Sequence, residues 1–513
     1  MPAETDVGSF RPAETFAEVQ QTHAAVVFMV GSRAYKLKKP VDLGFLDFST
    51  RAKRQAVCQR EVELNRRLAP DVYLGVADVS GPDGAVCDHL VVMRRMPVSR
   101  RLSTLVRDGA PIDDDLRRLA RLLAAFHANA RRGPEISAEG SRDAIRRRWT
   151  DSFRLVATFR GRVLHDRLVE EITTLTLDFL AGRDALFADR IASGRVVDGH
   201  ADLLANDIFC LDDGPRVLDC IEFDDKLRWI DGLDDAAFLA MDLEHLGRPE
   251  LATQFLDWYA EFAGDPAPSS LRHHYLAYRA FVRAKVACLR HAQGDPHAAA
   301  DAVQHAQLTV THLRAGAPRL ILVGGLPGTG KTTLAGRLAD RLGGVVLSSD
   351  RLRKELAGVA PATSAKADFE QGIYTPAWTG RTYTALLQRA DALLARGETV
   401  LLDASWSDAE CRAAARAQAA RTHSALIELR CAAPDEVVTD RLRRRTLSTS
   451  DADAAIATAM AARADPWPEA STIRTDMPLT PTLDELAGMM SRESARSAMT
   501  GAGTGRDNIA SSG

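Results

Sequence analysis

The stretch RLILVGGLPGTGKTT, residues 319–333, constrains this chain more than any other. An unbroken apolar run, Leu320 to Val323, leads into a turn with glycines at 324, 325, 328 and 330. The helix-forming run TLAGRLADRL follows. A continuous apolar run is the mark of a strand buried on both faces of a parallel sheet. Strand, glycine turn and helix in that order turn the spacing G-x-x-x-x-G-K-T, Gly325 to Thr332, into a phosphate-binding loop. The backbone of Gly325, Leu326, Pro327, Gly328, Thr329 and Gly330 would wrap a β-phosphate of ATP, helped by N–H groups of the helix start. Lys331 brings positive charge to the β/γ oxygens, the Thr332 hydroxyl can ligate Mg²⁺, and Thr333 completes the first turn. The alternative is a plain glycine-rich turn, and the flanking strand and helix argue against it.

Strands and helices alternate from there. GGVVLSSD, ETVLLDA, SALIELRC and STIRTD read as strands between helical runs, which is the pattern of a doubly wound parallel-sheet α/β domain over 318–490. In such sheets ligands bind outside the carboxyl ends of the strands. SSDRLRKEL puts Asp350 and Arg353 on the first turn of a helix at such an end. Asp350 is placed to accept a proton from a hydroxyl, and Arg353 to hold substrate or the transferring phosphate. The bland alternative is a capping Asp and a surface Arg. Asp403 ends an apolar strand, the place for a second carboxylate on the Mg²⁺ side. Arg441 and Arg445 share a helical face in DRLRRRT. A lid would use them to neutralise the γ-phosphate; a solvated basic face is the other reading. Trp467, between two prolines, is expected to pack the lid's exit. Residues 491–513 are Ser/Gly-rich and read as a disordered tail.

The loop, S-S-D-x-x-R, the strand-end Asp403 and the R-x-x-x-R helix together resemble the small P-loop kinases over about residues 318–475. That group includes gluconate-kinase-like enzymes, zeta-toxin-like kinases and the phage polynucleotide 5'-kinase domain. The resemblance implies that Asp350 and Arg353 activate and hold an acceptor hydroxyl.

The first part reads differently. AAVVFMV and AYKLKKPV are strands around the turn Gly31-Ser32-Arg33, and Arg51 to Leu68 is a helix. VYLGVADVSGPDGAVCDHLVVMRRM gives two more strands, closing a small lobe near residue 100. Helical patterns run from Asp113 to about Ala192 and from Asp234 to about Leu313, with short strands RVVDGH and PRVLDCIEF around HADLLANDIF. The run DAVQHAQLTVTHLRA is expected to connect the domains and to pack on the first. RAGAPRL is the linker, which gives a first domain of 1–312.

These pieces, in this order, resemble the aminoglycoside phosphotransferase family, a relative of the protein-kinase fold. The resemblance implies an α+β bilobal domain. Lys36 would grip the α/β phosphates, with Glu61 as its helix partner. VVDGHADLLAND resembles the family's H-G-D-L-H-x-x-N loop, so Asp202 would accept or orient the acceptor's proton. Asp207 takes the Asn position and Glu222 the position of the metal Asp; both remain oxygen ligands for Mg²⁺. Ala201 stands where the motif has glycine, and Leu204 replaces the second His. Lys38, on the same face as Lys36, could exchange roles with it. Asp224, Asp225, Asp231, Asp234 and Asp235 can cap helices or bind metal.

Composition narrows the rest. The chain has 513 residues, 46% of them hydrophobic, and a net charge of −3 with no basic stripe interleaved with aromatics. A nucleic-acid partner is therefore not expected. Seven cysteines without CxxC pairs suit a reduced, cytoplasmic chain. The start MPAETDVGSFRPAE has no apolar h-region, and no apolar run approaches the ~18 residues of a membrane span. Joined, the two parts resemble bacterial bifunctional aminoglycoside phosphotransferase-like/ATP-binding proteins of AAA-family P-loop type. The expected activity is ATP-dependent phosphotransfer to a small-molecule hydroxyl, the first domain being a second kinase or a substrate-binding module. A polynucleotide 5'-kinase is one alternative; a nucleotide-sensing ATPase with a pseudokinase partner-binding domain is another.

Overall fold

A computed structural model describes residues 18–21, 24–42, 47–360, 370–444, 454–481, 483, 484 and 486. Arg445 and the 491–513 tail lie outside them. Compactness divides the chain into two units, Met1–Ile136 with Val197–Gly264 and Ser137–Val196 with Asp265–Gly513. This division differs from a boundary at 312–318. Helices Asp166–Ala181, Ser269–Ala292 and Ala298–Ala315 pack on one another and cluster with the second unit's sheet. The helix Ala298–Ala315, expected to pack on the first domain, thus belongs to the second unit. No helix among the described residues is long and apolar enough to cross a membrane.

The first unit carries a five-stranded antiparallel sheet. Its spatial order is Glu18–Gln21, Ala25–Val30, Arg33–Lys38, Val86–Arg94, Tyr73–Ser80. Helix Arg51–Asn65, capped by the Thr50 hydroxyl, closes a core of Cys58, Val62, Tyr73, Val91 and Met93. The hairpin register pairs Val27 with Lys36. Since side chains alternate along a strand, Lys36 and Lys38 share one face.

The second unit holds a five-stranded sheet, all parallel, in the order Val345–Ser348, Val400–Asp403, Arg319–Gly324, Ala425–Ala432, Ser471–Arg474. Both faces are buried. Ile321, Val323, Leu401 and Leu429 pack against Leu334 and Leu338 of helix Lys331–Leu342. Leu320, Leu322, Val400 and Leu402 point the other way, onto Leu386 and Leu394 of helix Pro376–Leu394. The doubly wound α/β part expected from the alternation and the α+β part implied by the resemblance are both present. Trp467 lies deeper than expected. Its indole sits under the central strand, where a Cβ on Gly324 would come within 2.3 Å of the ring.

Candidate active site

The phosphate loop leaves the buried strand Arg319–Gly324 and enters helix Lys331–Leu342. The Gly325 amide donates to Ser405 O at 3.0 Å, and Gly325 itself is in a left-handed conformation at φ 133°. A Cβ there would meet Cys431 O at 2.7 Å and Thr329 Oγ1 at 2.8 Å, so both space and backbone demand glycine. Gly330 turns the chain into the helix at φ 90°. Leu326 and Pro327 form the bend: Leu326 O accepts from Thr329 Oγ1 at 2.7 Å and from Lys331 Nζ at 3.0 Å. Thr333 is exposed on the first helical turn.

Pairing of Val323 with Asp403 brings the neighbouring strand's last residue beside the loop. Thr332 Oγ1 donates to Asp403 Oδ2 at 2.8 Å, so the hydroxyl and carboxylate chosen as the Mg²⁺ pair do meet. The donor set, one hydroxyl and one carboxylate at a loop rich in backbone N–H groups, fits a hard cation carrying phosphates.

Ser348 pairs with Asp403, so the helix that follows, Ser349–Leu356, starts at the same end of the sheet. Asp350 is half-buried on its first turn. Arg353 departs from expectation. Its buried guanidinium donates to Ile373 O at 2.9 Å and Thr379 Oγ1 at 3.1 Å and lies over the Tyr374 ring at 5.1 Å. It ties the start of helix Pro376–Leu394 to the Asp350 helix, a positioning task, and in this arrangement its Nη1 is turned to protein groups.

Arg441 does reach the loop. It donates to Gly328 O at 3.4 Å, to Thr475 Oγ1 at 3.1 Å and to Thr475 O at 2.8 Å. Thr475 in turn donates to Thr329 O at 2.6 Å. Thr475, which follows the last strand, is a loop partner that sequence reading missed. Only its strand-end position, matching that of Asp403, hinted at it.

The first unit gathers a second cluster. Glu61, fully buried, faces two lysines: Lys36 at 2.9 Å and Lys38 at 2.6 Å. Lys36 also meets Asp219 at 2.5 Å, and Lys38 pairs with Glu222. Burial opposes the charge on Lys36, but Asp219 and Glu61 hold its pKa well above the usual lysine value. Deleting the Glu61 carboxylate leaves two buried ammonium groups under-compensated. Glu61→Ala is expected to cost about 3 kcal/mol, the low end for breaking a buried ion pair, because each lysine keeps another carboxylate. Urea unfolding monitored in the first unit measures it.

Asp207 and Glu222, expected to hold Mg²⁺ in the first unit, both feel Asp219. Burial, then Asp219 and Asp202, push the Asp207 carboxyl well above the ordinary range. Glu222 pairs with Lys38, and burial pushes its carboxyl up. Asp219 stands with both groups, and it is the acid the motif comparison overlooked. It occupies a left-handed turn at φ 65°, with its amide donating to Tyr73 Oη at 3.1 Å.

The loop His200–Asp207 is held from below. Asp235 accepts from the amides of His200 at 2.6 Å and Ala201 at 2.8 Å, and His127 Nε2 lies 3.0 Å from it. Asp231 and Asp224 accept from the amides of Leu233 and Lys226, so these acids act as clamp and caps. Burial pushes the His200 imidazole down to about 4. Ala201 adopts φ 72°, the conformation that a glycine would take without strain. Ala201→Gly relieves about 1–2 kcal/mol of strain but loses a buried methyl and adds chain entropy, so a nearly neutral outcome is expected. Ala201→Val adds β-branching and overpacking and is expected to cost about 2–3 kcal/mol; chemical denaturation of the pair separates the effects.

Comparisons with known proteins match the C-terminal part to a family model and most of the chain to mycobacterial relatives. Residues 320–467 match the model of a family described as AAA domain. Solved structures with similar parts include a putative kinase from Chloroflexus aurantiacus (20% identity, 34% of this chain, 98% of that one, TM-score 0.27). A choline/ethanolamine kinase family protein from Mesorhizobium loti is another (14%, 60% and 92%, TM-score 0.37). Over 465 residues the chain is 46% identical to Uncharacterized protein Rv2004c of Mycobacterium tuberculosis, which covers 91% of this chain and 93% of that one. Uncharacterized protein Mb2027c of Mycobacterium bovis matches over the same extent with the same identity. The chain therefore belongs to the family of these mycobacterial proteins and carries an AAA domain with a phosphate-binding loop in its C-terminal part.

Proposed function

We propose that the chain is an ATP-dependent phosphotransferase whose second unit passes the γ-phosphoryl group of ATP to a hydroxyl of a small molecule. The observation that carries this reading is the 2.8 Å contact of Thr332 Oγ1 with Asp403 Oδ2 beside a glycine-built loop. The loop's N–H groups and Lys331 would hold the β- and γ-phosphates. Thr332 and Asp403 would hold Mg²⁺, which when bound neutralises charge on the phosphate oxygens. Asp350, on the helix beginning beside Asp403, accepts the proton of the acceptor hydroxyl. Arg441, already on the loop backbone, adds positive charge there. Arg353 supports this site through the segment it anchors.

In the first unit, Lys36 with Glu61 and Asp219 would receive phosphates, Asp202 would face the acceptor, and Asp207 with Asp219 would hold a cation. That unit is read as a second kinase site or as the module that binds substrate. The test is transfer of label from γ-labelled ATP into a small-molecule extract by the full chain. A labelled organic product supports the reading. Release of inorganic phosphate alone, with no labelled product under any extract, would point to a sensing ATPase and sink it.

A further inference from the structure

Between strand Val400–Asp403 and helix Ala409–Arg421 the chain makes a short connection, residues 404–408. Trp406, in its middle, adopts φ 53°, a left-handed conformation that a bulky residue rarely enters. The residue is fully buried. Such strain persists only where the surroundings over-determine it, and strained residues gather at functional sites.

The restraints on Trp406 can be named. Its indole Nε1 donates to Leu402 O at 3.1 Å, and its carbonyl accepts from Arg412 Nη1 at 2.7 Å. Those partners are four and six residues away. A third comes from a different element. The Trp406 amide donates, at 3.1 Å, to Tyr383 Oη on helix Pro376–Leu394. The two rings meet edge to face, with centroids 5.0 Å apart.

That amide shares one peptide unit with the Ser405 carbonyl, and the unit is planar and trans. Its N–H and C=O therefore point in opposite directions. The Ser405 carbonyl accepts from the Gly325 amide at 3.0 Å. One rigid plate is thus bonded to Tyr383 at one edge and to the start of the phosphate loop at the other. Having accepted from Trp406, Tyr383 Oη has a single hydrogen to give, and Ser405 Oγ lies 3.1 Å away to take it. Burial pushes this hydroxyl up to about 12, so the hydrogen stays in place across physiological pH.

We propose that Tyr383 is a positioning residue for the phosphate loop, fixing the Gly325 amide through the Ser405–Trp406 peptide unit. Its bearing on ATP rests on the reading of that loop as the donor site; its hold on Gly325 does not. Tyr383→Phe deletes one oxygen and keeps the ring. The buried Trp406 N–H then lacks an acceptor, and the strained unit is free to rotate away from Gly325. Thr382→Val is the control. It deletes a buried hydroxyl of the same helix whose bond, to Trp378 O, stays within that helix.

Hydrogen exchange of the full chain, resolved at Gly325, is the direct test. Exchange there is expected to be slow in the wild type and in Thr382→Val, and about tenfold faster in Tyr383→Phe. Calorimetry with Mg²⁺ and a non-hydrolysable ATP analogue should show about tenfold weaker binding for Tyr383→Phe alone, the scale of one hydrogen bond. Unchanged exchange at Gly325 in Tyr383→Phe overturns the proposal, as does analogue binding that this variant leaves intact. Equal weakening by Thr382→Val overturns it too, since the effect would then belong to the helix as a whole. A wild-type chain that binds no analogue overturns the donor-site reading instead, and the exchange comparison still decides the role of Tyr383. Even in the wild type alone, a Gly325 amide exchanging at the rate of an open loop refutes the link.

Discussion

Lys331→Ala is expected to lower phosphoryl transfer from ATP by about 10²–10³-fold, the scale seen when one preorganised charge-stabilising group is removed. The lysine opens helix Lys331–Leu342, and its ammonium lies over the bend at 3.0 Å from Leu326 O. That contact keeps the ammonium on the loop, where a bound phosphate would lie. The bend itself does not depend on the lysine. It is set by the left-handed glycines, the Gly325–Ser405 bond and the Thr329–Leu326 bond. The variant should therefore melt like the wild type while losing turnover. Single-turnover transfer from labelled ATP, with a thermal melt as control, measures both. Unchanged turnover would mean that the loop is not the donor site.

Asp350→Asn is expected to reduce acceptor-dependent transfer by about 10²–10⁴-fold, the range for a general base, while ATP affinity stays unchanged. The side chain keeps its size, and residue 350 is only half-buried, so packing is barely disturbed. The location argues the separation: Asp350 begins the helix beside Asp403, one strand removed from the phosphate loop. Arg353→Ala should behave otherwise, because Arg353 bonds Ile373 O and Thr379 Oγ1. Its loss would loosen the segment it anchors and lower stability along with rate. Calorimetry with an ATP analogue, alongside transfer assays, distinguishes the two. An Asp350→Asn enzyme that keeps full transfer, or one that loses ATP binding as well, contradicts the assigned role.

The parallel sheet was legible because most of its strands carry a short apolar run between helical stretches, and each expected run became a strand. The loop was legible because its chemistry is local: six consecutive residues and a lysine. The exposed strand Glu18–Gln21, EVQQ, was not, since all four residues face solvent and carry no alternation. Asp219 was missed for a different reason. Its role arises from a left-handed turn and from a lysine 183 positions away, relations that no local window contains. The grouping of helices 137–196 and 265–315 with the parallel sheet was also invisible. Periodicity tells which face of a helix is apolar, not which neighbour will cover it.

The ring that runs from Arg441 through Thr475 to the Thr329 carbonyl joins three parts of the chain that are far apart in order of synthesis. A protein ending ahead of Ser471 would retain every letter of the glycine-lysine signature. It would nonetheless lack the final strand's brace on that signature's backbone. The motif and the brace on its backbone are therefore separate features of this chain, and the brace is written in Ser471–Arg474 and the threonine that follows.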